Sequence, residues 1–315
     1  MPPPEAVIHV SDTPSQNRLV AAWRLLPGNM RGVLWITMGT IAFALNDVFI
    51  KLLGGTFHPF ELGVFRYGIG VLLLAPVFLH MGAAGLKTKR LGLHMVRLAM
   101  ACVAQLGVFF AVINLPLADA TAIAFSRPLF TTVIAVIVLH EIVRWRRWTA
   151  TCIGFAGVLI MVRPGHGGVD TIALIAVASA LTFAVANILI RMLSRTEPPN
   201  RILFYYHVGG TLVFAVPALF VWVTPVGMEW VMLFMIGALT TIGMIGFVRA
   251  FSVGEANAVG PLEYVRLIYA AVLGFTIFGE VPDLWTLGGA ALIVVSTLYI
   301  ARAEARRAST EARRS

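Results

Sequence analysis

Charge is scarce in this sequence. Only 12% of its residues are Asp, Glu, Lys or Arg, about half the roughly 25% of a soluble domain. So few charges cannot cover a water-facing surface, which excludes an ordinary soluble fold. Acid is scarcer than base, 15 residues against 24, for a formal net charge of +9. The basic residues fall in short groups between apolar runs, the pattern of cytoplasmic loops; this excludes a nucleic-acid face. Cysteine is almost absent. Cys102 and Cys152 both lie inside apolar runs, with no disulfide framework or metal-ligand spacing available to them. H-E-x-x-H, G-x-S-x-G, histidine pairs at helical spacing and a Walker A loop are all missing. These absences argue against a membrane enzyme and against ATP as the driver, and no cofactor or metal is expected.

What the chain has in abundance is apolar surface: 59% of residues are hydrophobic and the mean hydropathy is +0.87. Residues 1–30 are polar and proline-rich, with no apolar core of the kind a cleavable signal needs, and read as a cytoplasmic tail. Beyond them, apolar runs of about 20 residues alternate with short connectors, each long enough to span a bilayer as a helix. The runs cover 33–53, 60–80, 93–113, 120–139, 148–162 (a short one), 171–192, 202–223, 230–250, 259–278 and 284–301. They are too long and too uniformly apolar for barrel strands. The expected class is an all-α integral membrane protein with about ten transmembrane helices.

Lysine and arginine set the expected orientation. With the N-terminus inside, only Lys51 and Arg163 fall at outer ends, and Arg66, Arg127 and Arg266 lie within spans. Every other basic residue is on the inner side, as the positive-inside rule requires. Both termini are then cytoplasmic, and the location is an inner membrane.

The chain also repeats itself. Residues 123–141 and 262–280 align without a gap: Phe125 meets Tyr264, Arg127 meets Arg266, Val133 meets Val272 and Glu141 meets Glu280. Ala42-Phe43-Ala44-Leu45 resembles Thr182-Phe183-Ala184-Val185, and Ile50-Lys51-Leu52 resembles Ile190-Arg191-Met192. Five spans per half is an odd number, so the second half lies upside down relative to the first, an architecture recurrent in secondary transporters. The expected division is a tail at 1–30, five-helix repeats at 31–163 and 164–302, and a basic tail at 303–315.

These residues resemble the EamA family of the drug/metabolite transporter superfamily. The resemblance runs from Arg31 to about Arg302. It rests on Leu139-His140-Glu141 and Phe278-Gly279-Glu280 at the ends of the fourth and ninth spans, and on Gly154-Phe155-Ala156-Gly157 in the next span. Asn46-Asp47, Phe60-Glu61 with Phe65-Arg66, Phe125-Ser126-x-Pro128-Leu129-Phe130 and Arg147-Trp148 are most similar to the branch containing S-adenosylmethionine uptake carriers, from which the chain departs at Arg127. Other branches export amino acids or take up riboflavin. The resemblance implies ten spans in two EamA repeats and a small-metabolite substrate: an amino acid or derivative, a nucleoside-type or a vitamin-type solute.

Polar residues inside the membrane mark the candidate site, because intramembrane charge is costly and is kept for pathways. Asp47, Arg66 and Arg127 each sit about 10 Å from an outer span end. Arg266 is equally far from an inner end, Glu263 shares its helix face, and Asn187 and His207 fall in the same inner half. Two clusters are therefore expected, an outer one of Asp47, Arg66 and Arg127 and an inner one of Asn187, His207, Glu263 and Arg266. They would line a cavity or close alternating gates. The bland alternative is a set of ion pairs that hold helices together. Phe125 and Tyr264 are candidates for stacking on a flat ligand, with Phe65, Tyr67 and Tyr269 behind them, and Gln105 for a cavity hydrogen bond. Asp47, Glu263 and His207 are possible carriers of a coupling proton. Glu141 and Glu280, at span ends, read better as anchors. Gly107, Gly154, Gly157, Gly243 and Gly246 suit close helix approach. Pro128, following Arg127, would kink the fourth span, and Pro76 and Pro217 would bend the second and seventh. A transporter fits these features; the alternatives are an integral-membrane enzyme, whose motifs are missing, and a structural membrane protein, which would not need arginines in an inverted pair. Ten spans can enclose a cavity without a partner, so oligomeric state is open.

Overall fold

The computed structural model describes residues 26–139, 145–162, 171–254 and 259–312. Its helices are α1 (Gly28–Leu53), α2 (Pro59–Leu86), α3 (Leu91–Asn114), α4 (Leu117–Ala124), α5 (Arg127–Leu139) and α6 (Trp145–Val162). The second half supplies α7 (Thr171–Leu193), α8 (Pro199–Ala218), α9 (Met228–Val253), a 3₁₀ turn (Gly260–Tyr264), α10 (Val265–Phe278) and α11 (Leu284–Ala312). No strand occurs among the described residues. Seven stretches are long and apolar enough to cross a membrane, with α4 and α5 counting as one stretch and the 3₁₀ turn and α10 as another. The stretches 148–162 and 284–300 are shorter apolar helices. With α8 they complete two sets of five.

Local chemistry fixes the helix starts. α2 opens on a capping box, in which His58 N–H donates to Glu61 Oε1 (3.1 Å) and Phe60 N–H to His58 Nδ1 (3.3 Å). Pro59 and Pro199 occupy the first turns of α2 and α8, where the missing N–H has no helical partner to lose. Gly279, at φ +69°, ends α10 in the left-handed region that glycine tolerates best.

The packing carries a pseudo-two-fold relation between the halves. α1 packs on α9 as α7 packs on α3, while α2 meets α8 and α6 meets α11 across the axis. Small residues set these crossings. A Cβ on Gly246 would lie 2.8 Å from Trp35 O and 3.0 Å from Gly39 Cα; at the related crossing, a Cβ on Gly107 would lie 2.9 Å from Ser179 Cβ. Gly157 approaches Gly289 across α6 and α11, Gly154 faces Leu129, and Gly243 faces the Phe43 ring. Each of the five glycines therefore sits at a close approach.

α2 and α8 are joined by an aromatic seam, with Tyr67 edge-on to Tyr206 (5.0 Å) and stacked on Phe214 (5.4 Å). Their ends are tied as well. Glu61 Oε2 accepts from Val223 N–H (2.8 Å), and Arg201 donates to Gly85 O (2.7 Å) and Glu197 (2.6 Å). Glu197 is nearly out of water, which works against its charge, but hydrogen bonds from Thr88 and Arg201 hold its carboxyl below the usual range. Pro76 lies inside α2, yet the non-helical residue is Gly82 (φ 62°). Pro217 lies inside α8, one residue before its end. The outer surface is apolar: Leu79, Phe220 and Leu284 are 80–86% exposed, as suits a surface solvated by lipid.

Candidate functional site

Both spans that carry the deep arginines are broken just before them. α4 ends at Ala124. Phe125 N–H then bonds back to Ala122 O (3.1 Å), Ser126 N–H bonds to Ile123 O (3.0 Å), and α5 starts at Arg127. Pro128 is the second residue of α5, a position it occupies without forfeiting a helical bond. The expected kink inside a continuous helix is therefore replaced by a break ahead of the arginine. In the other half the 3₁₀ turn hands over to α10, whose second residue is Arg266. Each arginine thus stands in a first helical turn, where the backbone dipoles leave partial positive charge.

Each arginine also rests on a phenylalanine from the opposite half. Arg127 Cζ lies 4.4 Å from the centre of the Phe183 ring, and Arg266 Cζ lies 5.3 Å from that of Phe43, within the range of cation–π attraction. Here the relation between the halves ends. Arg266 Nη2 donates to Asp47 Oδ2 at 2.5 Å, and Asp47 is buried. Among the described residues no carboxylate pairs directly with Arg127. Glu263 lies within electrostatic reach of both arginines, but its side chain makes no hydrogen bond or ion pair among the described residues.

These groups face a cavity of about 310 Å³, lined by Phe125, Arg127, Thr131, Asn187, Glu263 and Arg266, with Tyr264, Thr121 and Pro128 beside them. That is at the small end of metabolite-sized sites. The rings of Phe125 and Tyr264 lie 4.9 Å apart and form one wall. A smaller hollow of about 20 Å³ reaches Asp47, Ser179 and Val108.

The two expected clusters do not exist as such, since Asp47 and Arg266, assigned to different ones, form a single ion pair. Phe125, Arg127, Asn187, Glu263, Tyr264 and Arg266 come together; Arg66, Gln105 and His207 line neither of these cavities. Arg66 Nη1 donates to Thr240 Oγ1 (2.8 Å), itself 3.1 Å from Asn46 Oδ1. His207 is buried between Tyr67 and Tyr206, against Gly70. Gln105 is buried in α3 with its Nε2 unpartnered. Phe65 packs on Trp222 and Trp230, and Tyr67 is fully buried. Sequence reasoning missed Phe43 and Phe183, although both lie in matched tetrapeptides of the two halves.

Beyond the far end of α10 a second charged group ties the chain. Glu280 pairs with Lys51 and accepts from Leu117 N–H (2.8 Å), while Lys51 Nζ also donates to Leu115 O (2.5 Å). This joins α1, the α3–α4 connection and the segment after α10, which is the anchoring expected of Glu280. Glu141, its counterpart, lies outside the described residues.

Comparison with known proteins agrees with this architecture. Residues 30–163 and 170–302 each match the EamA-like transporter family. The chain is 30% identical over 282 residues to the S-adenosylmethionine uptake transporter of Rickettsia prowazekii, covering 90% of this chain and 96% of that protein. It is 30% identical to the pseudopaline exporter of Pseudomonas aeruginosa (86% and 96% covered) and 27% identical to the riboflavin transporter of Vibrio cholerae (90% and 96%). One solved crystal structure superposes with a TM-score of 0.60 at 20% identity, over 89% of this chain and 98% of its own, a likeness of fold alone. Two five-helix halves around a charged cavity, and a family match in each half, lead to one assignment: the chain belongs to the EamA-like transporter family and is a membrane transporter of small metabolites.

Proposed function

We propose that the protein is a secondary transporter that moves solutes with a zwitterionic amino-acid end, S-adenosylmethionine among them, by alternating access. One observation carries this reading: the cavity holds one cation and one anion that do not pair directly, Arg127 and Glu263, beside the aromatic wall of Phe125 and Tyr264. Arg127 offers a carboxylate a planar fork at a helix start, Glu263 offers an ammonium group a partner, and the rings take a flat substituent. The name borne by the Rickettsia relative supports the same class. Asp47 is committed to Arg266, so if a proton is coupled, Glu263 carries it.

The repeats are placed at 31–163 and 164–302, related by inversion and flanked by tails at 1–30 and 303–315. Both tails are cytoplasmic in an inner membrane, on the positive-inside argument. In this arrangement the Lys51–Glu280 tie is the closure on the outer side.

The test is uptake of S-adenosylmethionine and of its decarboxylated analogue by purified protein in proteoliposomes, with and without ATP. Uptake of the first without ATP, and at least tenfold weaker handling of the second, is the expected result. Equal handling of both would remove carboxylate recognition, and a strict ATP requirement would remove the secondary mechanism.

A further inference from the structure

The halves place the same three-residue device on either side of the axis, but with one substitution. In the first device Arg266 rests on Phe43, and Asp47, one turn beyond Phe43 on the same face of α1, neutralises it at 2.5 Å. In the second, Arg127 rests on Phe183, and the residue one turn beyond Phe183 on α7 is Asn187. Asn187 lines the cavity with Arg127, is exposed, and its side chain makes no hydrogen bond among the described residues. An amide in place of a carboxylate keeps the shape and removes the charge. We infer that Asn187 is a specificity-determining residue: by withholding the acid that its counterpart supplies, it leaves Arg127 as the cavity's open cation.

The alternatives for neutralising Arg127 are limited. Asp47 is occupied by Arg266, and Glu263 stands in the field of both arginines without bonding to either. Arg66, also within electrostatic reach of Arg127, adds positive charge. With asparagine at 187 the unpaired groups are therefore one guanidinium and one carboxylate, which suits a zwitterion. An aspartate there would close a second ion pair and leave Glu263 alone, and a cavity of that charge suits a cation without a carboxylate. Asn187 acts through Arg127, so it is a positioning and selecting residue. This inference rests on the reading of the cavity as a site for a zwitterion.

Arginine reactivity separates the two claims, because it needs no transported solute. The full-length protein in lipid is treated with phenylglyoxal, and the modification of Arg127 and Arg266 is read residue by residue by mass spectrometry. The unaltered chain is expected to react at Arg127 at least several-fold faster than at Arg266. Asn187→Asp should protect Arg127, Asn187→Leu should not, and Asp47→Asn should expose Arg266. Equal reactivity of the two arginines, or no protection in Asn187→Asp with Asn187→Leu as the control, overturns the assignment of Asn187. S-adenosylmethionine binding is then measured against its decarboxylated analogue on the same preparations. A fall of at least tenfold in the preference of Asn187→Asp for the carboxylate-bearing probe supports the selecting role, and an unchanged preference overturns it. If the reactivity pattern holds while the unaltered protein does not distinguish the two probes, the zwitterion reading fails and the selecting role falls with it, leaving only the contrast in charge between the two arginines.

Discussion

Arg266 and Asp47 form an ion pair across 219 residues of sequence, 2.5 Å from Nη2 to Oδ2, with the carboxylate buried. A pair so placed couples α10 of one half to α1 of the other. Among the described residues Arg127, its counterpart, makes no ion pair and rests on the Phe183 ring. The two arginines are thus alike in sequence and unlike in what depends on them.

Replacing them should therefore have different consequences. Arg266→Ala strands a buried carboxylate, and breaking a buried pair from one side costs about 3–5 kcal/mol. A lower melting temperature in detergent and a poor yield are expected. Arg127→Ala strands no acid that pairs with it. It should melt like the parent and lose roughly 10- to 100-fold in transport, the scale of a hydrogen bond to a charged group. Transport and melting measured on the same preparations decide this, and the reverse pattern would overturn it. Arg127→Lys, which keeps the charge but not the fork, should recover part of the transport.

The Lys51–Glu280 tie should control access from one side. In a protein with Cys102 and Cys152 replaced by alanine, Ala124→Cys is expected to react slowly with an impermeant thiol reagent applied outside. Adding Glu280→Gln removes the ion pair with Lys51 and weakens the hold on Leu117, and the labelling rate should rise several-fold. An unchanged rate would mean that the tie only anchors a loop.

Close helix approach predicts a graded cost. A Cβ at Gly246 would meet Trp35 O at 2.8 Å, whereas one at Gly92 meets nothing within 4 Å. Gly246→Ala should destabilise by about 1–3 kcal/mol, the usual cost of overpacking, and Gly92→Ala should not. Thermal melting of the two proteins side by side is the check.

Orientation is tested at two glycines with open space around them. In the same cysteine-less background, Gly55→Cys should label from outside intact cells and Gly92→Cys only after the membrane is opened. Labelling in the opposite sense would invert the assignment of every span.

The sequence by itself determined the solvent of this protein and its duplication. A chain with 12% charge and apolar runs of bilayer length has few ways to satisfy its backbone other than as membrane helices. The match of 123–141 to 262–280 is a property of residue order alone. The residue types of the cavity were legible for the same reason: Arg127, Glu263 and Arg266 stand out in apolar surroundings whatever they touch. What only the tertiary structure decided is who meets whom. Depth counted from span ends assumes straight helices normal to the membrane, and on that count Asp47 belonged with Arg127. The breaks before Arg127 and Arg266 make that count unsafe, and a long guanidinium reaches several ångströms further, so Asp47 fell to Arg266. His207 shows the same limit from the other side. Its polarity marked it as a site residue, but the face of α8 that it occupies packs on Gly70 and Tyr67, and a helix face is assigned by its neighbours. Phe43 and Phe183 carried no signal of their own among 20 phenylalanines. Their role exists only because the inverted halves bring each ring under the other half's arginine.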